Sequence, residues 1–501
     1  MDLTNTYLFV LVALLGASLA AAMLKPERTY EYPYFMAAVF AVFIMPQAIS
    51  LIRFPGEARP EWVANVLLMS CLCFAMCWLG YRLPPIRSVQ ELLAQPVNLD
   101  RLFQGGLVFI AVSFFFRHLL SQMTEDEKGG SMWTGPSTIY LFFNNLIYPA
   151  FAICLLTALR TQSLLAWAAT VIAAIQPIQA TVFWGRREPT IQFLLTLALT
   201  LYFHRGIKLP RWVILSAITG AMLAIPATGT YRGLAAKRDW EQVRQMDLVK
   251  NYRQYLSEES TLELRNAAVF IEGTRRSEAY EFGKSYWDQL VFRFVPAQLL
   301  GTRFKASLMF EPSADRIHDE VATLGYEIPP GSTLTGMGDS FRQFGWFGCL
   351  FFALLAVVFK SLFRATEEPN AIFAQLFYIQ IGTAAMRTVT HQTVDFLPGL
   401  MYYVIFLGLL FLYAREKSPR SEARPTTRRI PTSRHVEQRP TANPTLTARR
   451  AVSRRARANH RRFPARGSPS APFPRPLSIG SGPLPSDENE APRQGSAEES
   501  S

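Results

Sequence analysis

Apolar residues along this chain come in long, nearly unbroken runs divided by short charged turns. They do not show the period-2 alternation of half-buried strands. Eleven runs reach about 18 to 22 residues, the length a helix needs to cross roughly 30 Å of hydrocarbon. They lie near 6–24, 34–52, 62–80, 103–120, 139–159, 163–184, 187–204, 211–228, 343–363, 370–387 and 397–414. The pattern predicts an all-α polytopic membrane protein with about 11 transmembrane helices, within a range of about 10 to 12, and excludes an ordinary soluble enzyme. The weakest runs are 187–204, which follows a charged turn directly, and 370–387, which is short and polar in places. The start, Met1-Asp2-Leu3-Thr4-Asn5-Thr6, lacks the positive region of a secretory signal, so the first run reads as a retained helix.

Four parts follow: helices over 1–228, a large loop at 229–342, three closing helices over 343–414, and a tail at 415–501. The 229–342 segment has 15 basic and 16 acidic residues. Trp240–Val249 and Leu262–Ile271 place apolar residues at i, i+3 and i+4, and aromatics such as Tyr280, Phe282, Tyr286, Trp287, Phe292 and Phe294 are frequent. The segment reads as a mostly helical insert resting on the membrane surface, not an independent domain. The tail is a different polymer. It has 13 prolines in 87 residues, with 18 basic against 8 acidic side chains, so it carries +10 of the chain's +13. It has too little apolar surface to fold, and its Arg-rich runs would be drawn to anionic lipid. The basic pI thus describes a tail, and nucleic acid is not an expected partner. Lys and Arg in the short loops favour a cytoplasmic C-terminus, a periplasmic N-terminus and a periplasmic large loop.

The five cysteines, Cys71, Cys73, Cys77, Cys154 and Cys349, all fall in apolar runs, where they read as small packing residues. There is no Walker loop, nucleotide fingerprint or dense His/Cys cluster, so no metal and no cofactor is expected. Candidate chemistry sits where charge meets a predicted helix end. Trp184-Gly185-Arg186-Arg187-Glu188-Pro189 places two guanidiniums on the non-cytoplasmic side, suited to gripping a phosphate or pyrophosphate. The alternative is a snorkelling pair neutralised by Glu188. Thr228-Gly229-Thr230-Tyr231-Arg232-Gly233 presents a Gly-flanked Arg232 at the opening of the loop. Val291-Phe292-Arg293-Phe294 sets Arg293 among apolar neighbours, whereas Arg275 and Arg276 read as a solvated face.

At the other end of the loop, Gly336-Met337-Gly338-Asp339-Ser340-Phe341-Arg342 is glycine-dense, as backbone approaching a ligand is. Asp339 would serve as a base and Arg342 as an anion clamp; the alternative is a structural turn with one ion pair. Finally, Arg387-Thr388-Val389-Thr390-His391-Gln392-Thr393-Val394-Asp395 collects Arg387, His391 and Asp395 in the manner of a proton-handling set.

In layout and in Gly185-Arg186-Arg187-Glu188 and Thr335-Gly336 through Asp339-Ser340-Phe341-Arg342-Gln343-Phe344-Gly345-Trp346-Phe347-Gly348, residues 1–414 resemble the Wzy-type O-antigen polymerases, also called oligosaccharide repeat unit polymerases. The resemblance implies a metal- and nucleotide-independent glycosyltransferase of the bacterial inner membrane, acting in surface or exopolysaccharide synthesis. It would move a growing glycan from undecaprenyl pyrophosphate to the terminal sugar of another lipid-linked repeat unit. A chain-length regulator is an implied partner. On that scheme Arg186, Arg187, Arg232, Arg293, Arg342 and Arg387 are the cation candidates, and Glu188, Asp339, His391 and Asp395 the base candidates. Three rivals share parts of this layout: an O-antigen ligase, a membrane glycosyltransferase using a polyprenyl-phosphate sugar, and a flippase of lipid-linked sugars. The ligase pattern, a loop His followed by Asn or Ser, is not met by Ile317-His318-Asp319-Glu320.

Overall fold

The computed structural model describes residues 3–124, 136–257, 263–310, 321–329, 332–368 and 371–416. The tail from 417 onward and the His318 segment lie outside the described residues. The chain opens with α1 (Leu3–Leu24), α2 (Tyr32–Arg53), α3 (Pro60–Arg82), α4 (Leu99–Gln122), α5 (Pro136–Thr161), α6 (Leu164–Val182), α7 (Arg187–Arg205) and α8 (Arg211–Ala236). Then come α9 (Trp240–Gln245), α10 (Leu248–Ser257), α11 (Glu263–Ser277) and α12 (Lys284–Phe294), and the chain closes with α13 (Thr335–Phe344), α14 (Leu350–Thr366), α15 (Ile372–Thr390) and α16 (Phe396–Ala414).

Nine stretches among the described residues are helical, long and apolar enough to cross a membrane: α1 to α6, α8, Thr335–Thr366 and Thr393–Ala414. With no strand among the described residues, the chain is an all-α, multi-pass membrane protein. The remaining two runs of the sequence, 187–204 and 370–387, are also helices, α7 and α15, each of 19 residues. Their polar character has a packing cause. In α15 every residue except Arg387 and Thr390 is buried, so its Gln and Thr side chains meet protein and not lipid, where their exposure would cost far more. The helices α1, α4 and α8 are the least enclosed and carry the outward apolar surface.

Local sequence sets the irregularities. A wide π turn at Phe40–Ile44 precedes Pro46 inside α2; proline has no N–H and crowds the preceding turn, and the extra residue relieves both. Asn98 caps α4 by accepting the Arg101 N–H at 3.0 Å. Gly345, at φ +58°, breaks α13 from the helix that follows. The large segment is not a detached domain: Leu264 and Ala267 through Ile271 of α11 belong to the same apolar core as α3, α13 and α15.

Two sequence readings change here. The stretch Thr228–Gly233 does not open a flexible loop. It continues α8 for two more turns to Ala236, since two glycines cost a helix only about 1 kcal/mol each and Leu234-Ala235-Ala236 favour it. The glycines of α13 also serve a different end: they approach other backbone, not a ligand. A Cβ on Gly336 would strike the Thr388 carbonyl of α15, and one on Gly338 would come within 3.1 Å of Ala267 in α11.

Candidate functional site

Gly185, at φ +55°, turns the chain between α6 and α7. The turn is braced from α8, where the Arg232 Nε donates to the Gly185 carbonyl at 3.1 Å. Arg232 is therefore committed to holding the turn. Trp184 lies exposed between two cations, the Arg117 guanidinium at 5.4 Å and that of Arg186 at 6.0 Å from its ring centroid. Arg187, Glu188 and Pro189 then form the first turn of α7. An acidic side chain is favoured there by the helix dipole, and proline by its missing N–H.

Glu188 does not neutralise its neighbours Arg186 and Arg187. Its Oε1 lies 3.2 Å from Nε of Arg387, in the last turn of α15, and both side chains are about one-third exposed. Beyond α15 the chain turns at His391, whose Nδ1 is 2.9 Å from the Thr390 hydroxyl and whose backbone N–H donates to the Arg387 carbonyl. His391 lies in the field of Arg387, Glu188, Asp395 and Arg187. Burial first, and Arg387 second, hold its imidazole below the usual value, which keeps the ring neutral. Asp395 follows at the start of α16 and accepts from Gln289 of α12 at 3.2 Å. One turn along α12 stands Arg293, in the field of Asp395, Arg387 and Glu188. Arg293 is exposed, not sunk among its apolar neighbours.

Six of the ten sequence candidates thus share one neighbourhood: Arg187, Glu188, Arg293, Arg387, His391 and Asp395. Helices α7, α12 and α15, with the turn that leads into α16, bring them to one end of the bundle. Arg186 stands at its edge, exposed on the same turn.

The remaining two candidates, Asp339 and Arg342, play other parts. Asp339 is 2 % exposed. It accepts the Thr393 hydroxyl and the Val394 N–H, the latter at 3.0 Å. Because Thr393 gives its proton to Asp339, the Tyr286 hydroxyl, 2.8 Å from Thr393, is the donor of that second bond. Asp339 therefore fastens the turn that carries His391 and Asp395. A carboxylate so enclosed, with its Oδ2 accepting twice from one turn, is a positioning group and not an accessible base. Arg342 is 6 % exposed and ion-paired to Glu281, with its guanidinium 5.4 Å from the Phe270 ring centroid. Glu281 also accepts from Gln343 at 2.9 Å, while the Glu281 and Phe282 N–H groups donate to the Arg342 and Gln343 carbonyls. Arg342 thus joins α13 to the start of α12 and is not free to clamp a ligand.

Three residues of this region escape a reading of the sequence. Gln289 orients Asp395, and Glu281 partners Arg342; both look like ordinary solvated positions in an amphipathic segment. Glu263, at the start of α11, is acted on by Arg187, and burial raises its pKa above the ordinary carboxylate value. Its only signal is its place at the head of the Leu262–Ile271 periodicity.

Chemically the neighbourhood holds three guanidiniums, two carboxylates and a neutral imidazole, with Glu263 beside Arg187, so cations stand next to groups able to take a proton. Such a set can hold an anion and deprotonate a hydroxyl next to it. Among the described residues no three His, Cys, Asp or Glu side chains gather into a metal-binding group. The five cysteines are buried and unpaired. No family model, no curated protein and no solved structure matches the chain.

Proposed function

We propose that the protein is an oligosaccharide repeat unit polymerase of the Wzy type, working at the periplasmic face of a bacterial inner membrane. In this reading α7 and α15 both span, giving eleven transmembrane helices. The N-terminus and the segment between α8 and α13 are then periplasmic, and the basic tail is cytoplasmic. The single observation that carries the reading is the convergence of Arg187, Arg293 and Arg387 with Glu188, His391 and Asp395 at one helix-end cluster.

The reaction needs two things from such a cluster. A base must take the proton of the acceptor sugar hydroxyl as its oxygen attacks the anomeric carbon of the donor glycan. The bond from that carbon to the pyrophosphate oxygen breaks, and its electron pair leaves with undecaprenyl pyrophosphate. Arg187 and Arg293 would compensate the charge that builds on this leaving group, with Arg186 at the rim. Arg387 is held by Glu188 and would act beside them. His391, neutral and next to the cations, is the best-placed base. A general base of this kind contributes about 10²- to 10⁴-fold.

Deleting the gene and analysing lipid-linked intermediates and surface glycan by mass spectrometry and gel tests the reading. The expected result is single repeat units accumulating on the carrier, or surface glycan capped at one unit. Long polymer held on the carrier would instead mean a ligase. Repeat units lacking one sugar would mean a membrane glycosyltransferase, and units trapped on the cytoplasmic face a flippase. Each of these would overturn the proposal.

A further inference from the structure

Beneath the Glu188–Arg387 pair, polar side chains continue into the bundle. Helices α7 and α15 run antiparallel, and three contacts fix their relative depth. Glu188 meets Arg387 at one end; Leu195 reaches to 2.9 Å of where a Gly382 Cβ would stand; Phe203 meets Tyr378 edge-on, with centroids 5.9 Å apart. On α7 the residues Glu188, Gln192, Thr196 and Thr200 recur every fourth position and make one stripe, of which the last three are buried. On α15 Gln380, Thr383 and Arg387 make another at i, i+3 and i+7. The register set by the three contacts brings Thr196 to the depth of Thr383, and Thr200 to that of Gln380.

Hydrogen bonding leaves part of this seam unexplained. Gln380 is 1 % exposed, and neither its amide oxygen nor its amide nitrogen has a partner. The hydroxyls of Thr383 and Thr200, at 3 % and 0 % exposure, have none either. A local remedy exists and is used elsewhere: Thr196 returns its hydroxyl to the Gln192 carbonyl at 2.7 Å, and Thr170 to that of Ala166 at 2.7 Å. Thr383 and Thr200 do not take it. Gln192 points across to α16, where its amide donates to the Tyr403 hydroxyl at 3.1 Å. At the top, Arg387 Nε lies near Glu188 but is not aligned for a hydrogen bond.

The spacing of these groups suits one small ligand. Steps of three and four residues along a helix are about 4.5 and 6 Å. The Gln380, Thr383 and Thr200 groups make no direct bond to one another, and rises of this size are in the range of the roughly 5.6 Å between two polar atoms bridged by one water. A buried water needs about two to four polar partners, which neighbouring members of the seam provide. We propose that the seam between α7, α15 and α16 is an internal water-binding site, with water bound in file from Gln380 past Thr383 to Arg387. The file solvates the inner side of the Arg387–Glu188 pair. Gln380 and Thr383 are then positioning residues for Arg387. The site stands whatever reaction the pair serves.

Water-edited solid-state NMR on the full chain in lipid bilayers, with ¹⁵N-labelled glutamine, tests it. The Gln380 side-chain signal is assigned by its loss in Gln380→Leu, or in Gln380→Asn where the leucine variant does not fold. The expected result is transfer of water magnetisation to the Gln380 amide within milliseconds, and its exchange in D2O within hours. In Thr383→Val that transfer should fall about fivefold, since the file loses its middle member. A Gln380 amide that receives no water magnetisation and stays protonated in D2O overturns the site. An unchanged transfer in Thr383→Val overturns the file.

Discussion

Two arginine–glutamate pairs in this protein have the same chemistry and opposite surroundings. Arg342–Glu281 is almost fully enclosed, at 7 % and 11 % side-chain exposure, whereas Arg387–Glu188 stands at 29 % and 37 %. Around the enclosed pair Glu281 also accepts from Gln343 and Ser285, and the Arg342 guanidinium lies over the Phe270 ring, its Nε buried and without a hydrogen-bond partner. The open pair is flanked by Arg187, Arg293, His391 and Asp395. An ion pair that is closed in on itself fixes a helix junction. One that is open and flanked by further cations has capacity left for a ligand. Exposure and company, not residue type, separate the enclosed arginine from the one proposed to meet a ligand.

The sharpest way to break this distinction is to remove the enclosed cation. Arg342→Met leaves the Glu281 carboxylate buried without its partner, which costs about 3–5 kcal/mol. The thermal midpoint of the purified protein should fall steeply, and membrane yield with it. Adding Glu281→Gln should restore most of the loss, because the uncompensated charge is then gone. A stable Arg342→Met protein lacking only activity would place Arg342 among the ligand-binding cations and undo the comparison.

The opposite outcome is expected at the open pair. Arg387→Gln should leave membrane abundance and the thermal midpoint close to those of the parent, since partly exposed pairs contribute about 0–1 kcal/mol. If the protein is the polymerase proposed, polymer synthesis in a complemented deletion strain should fall at least about 100-fold, as expected for a lost charge-stabilising donor. Arg387→Lys keeps the charge but not the planar fork and should recover only part of that loss. Unchanged polymer in both variants would remove Arg387 from the site.

The comparison also explains which parts of the molecule could be read from its sequence. Helices were legible wherever lipid does the enclosing, because lipid demands unbroken apolar runs. They were faint in α15, where Gln375, Gln380 and Thr383 are enclosed by other helices. The candidate site was legible as a set of residue types at helix ends, and six of the ten candidates share one neighbourhood. Their partners were not. Glu188 bonds across the fold to Arg387 instead of to the adjacent Arg186 or Arg187. Arg342 takes Glu281 instead of Asp339, which is only three positions away. Spacing shows which groups are able to meet on one face; packing of distant segments selects among them. Arg232 makes the same point through backbone: two glycines suggested a flexible hinge, yet the helix runs through them.

A smaller effect sharpens the assignment within the open cluster. Burial, helped by Arg387, holds the His391 pKa below the ordinary imidazole value, against the opposing pull of Glu188 and Asp395, and Arg187 adds to the lowering. An unfolded histidine titrates near about 6.5. Because the folded value is depressed, the stability gained by keeping this ring neutral is present above about pH 6.5 and is lost as pH falls through the lower folded value. If His391 is the base, the rate of transfer should follow the same proton. It should stay level from neutral pH down to below about 6.5 and then drop toward tenfold per unit. The measurement is transfer rate against pH on purified protein in lipid, with His391→Gln alongside. The variant should be slower at pH 7 and should lose the acid limb, because the group that titrates is gone. A limb that persists in His391→Gln would move the base to Glu188 or Asp395.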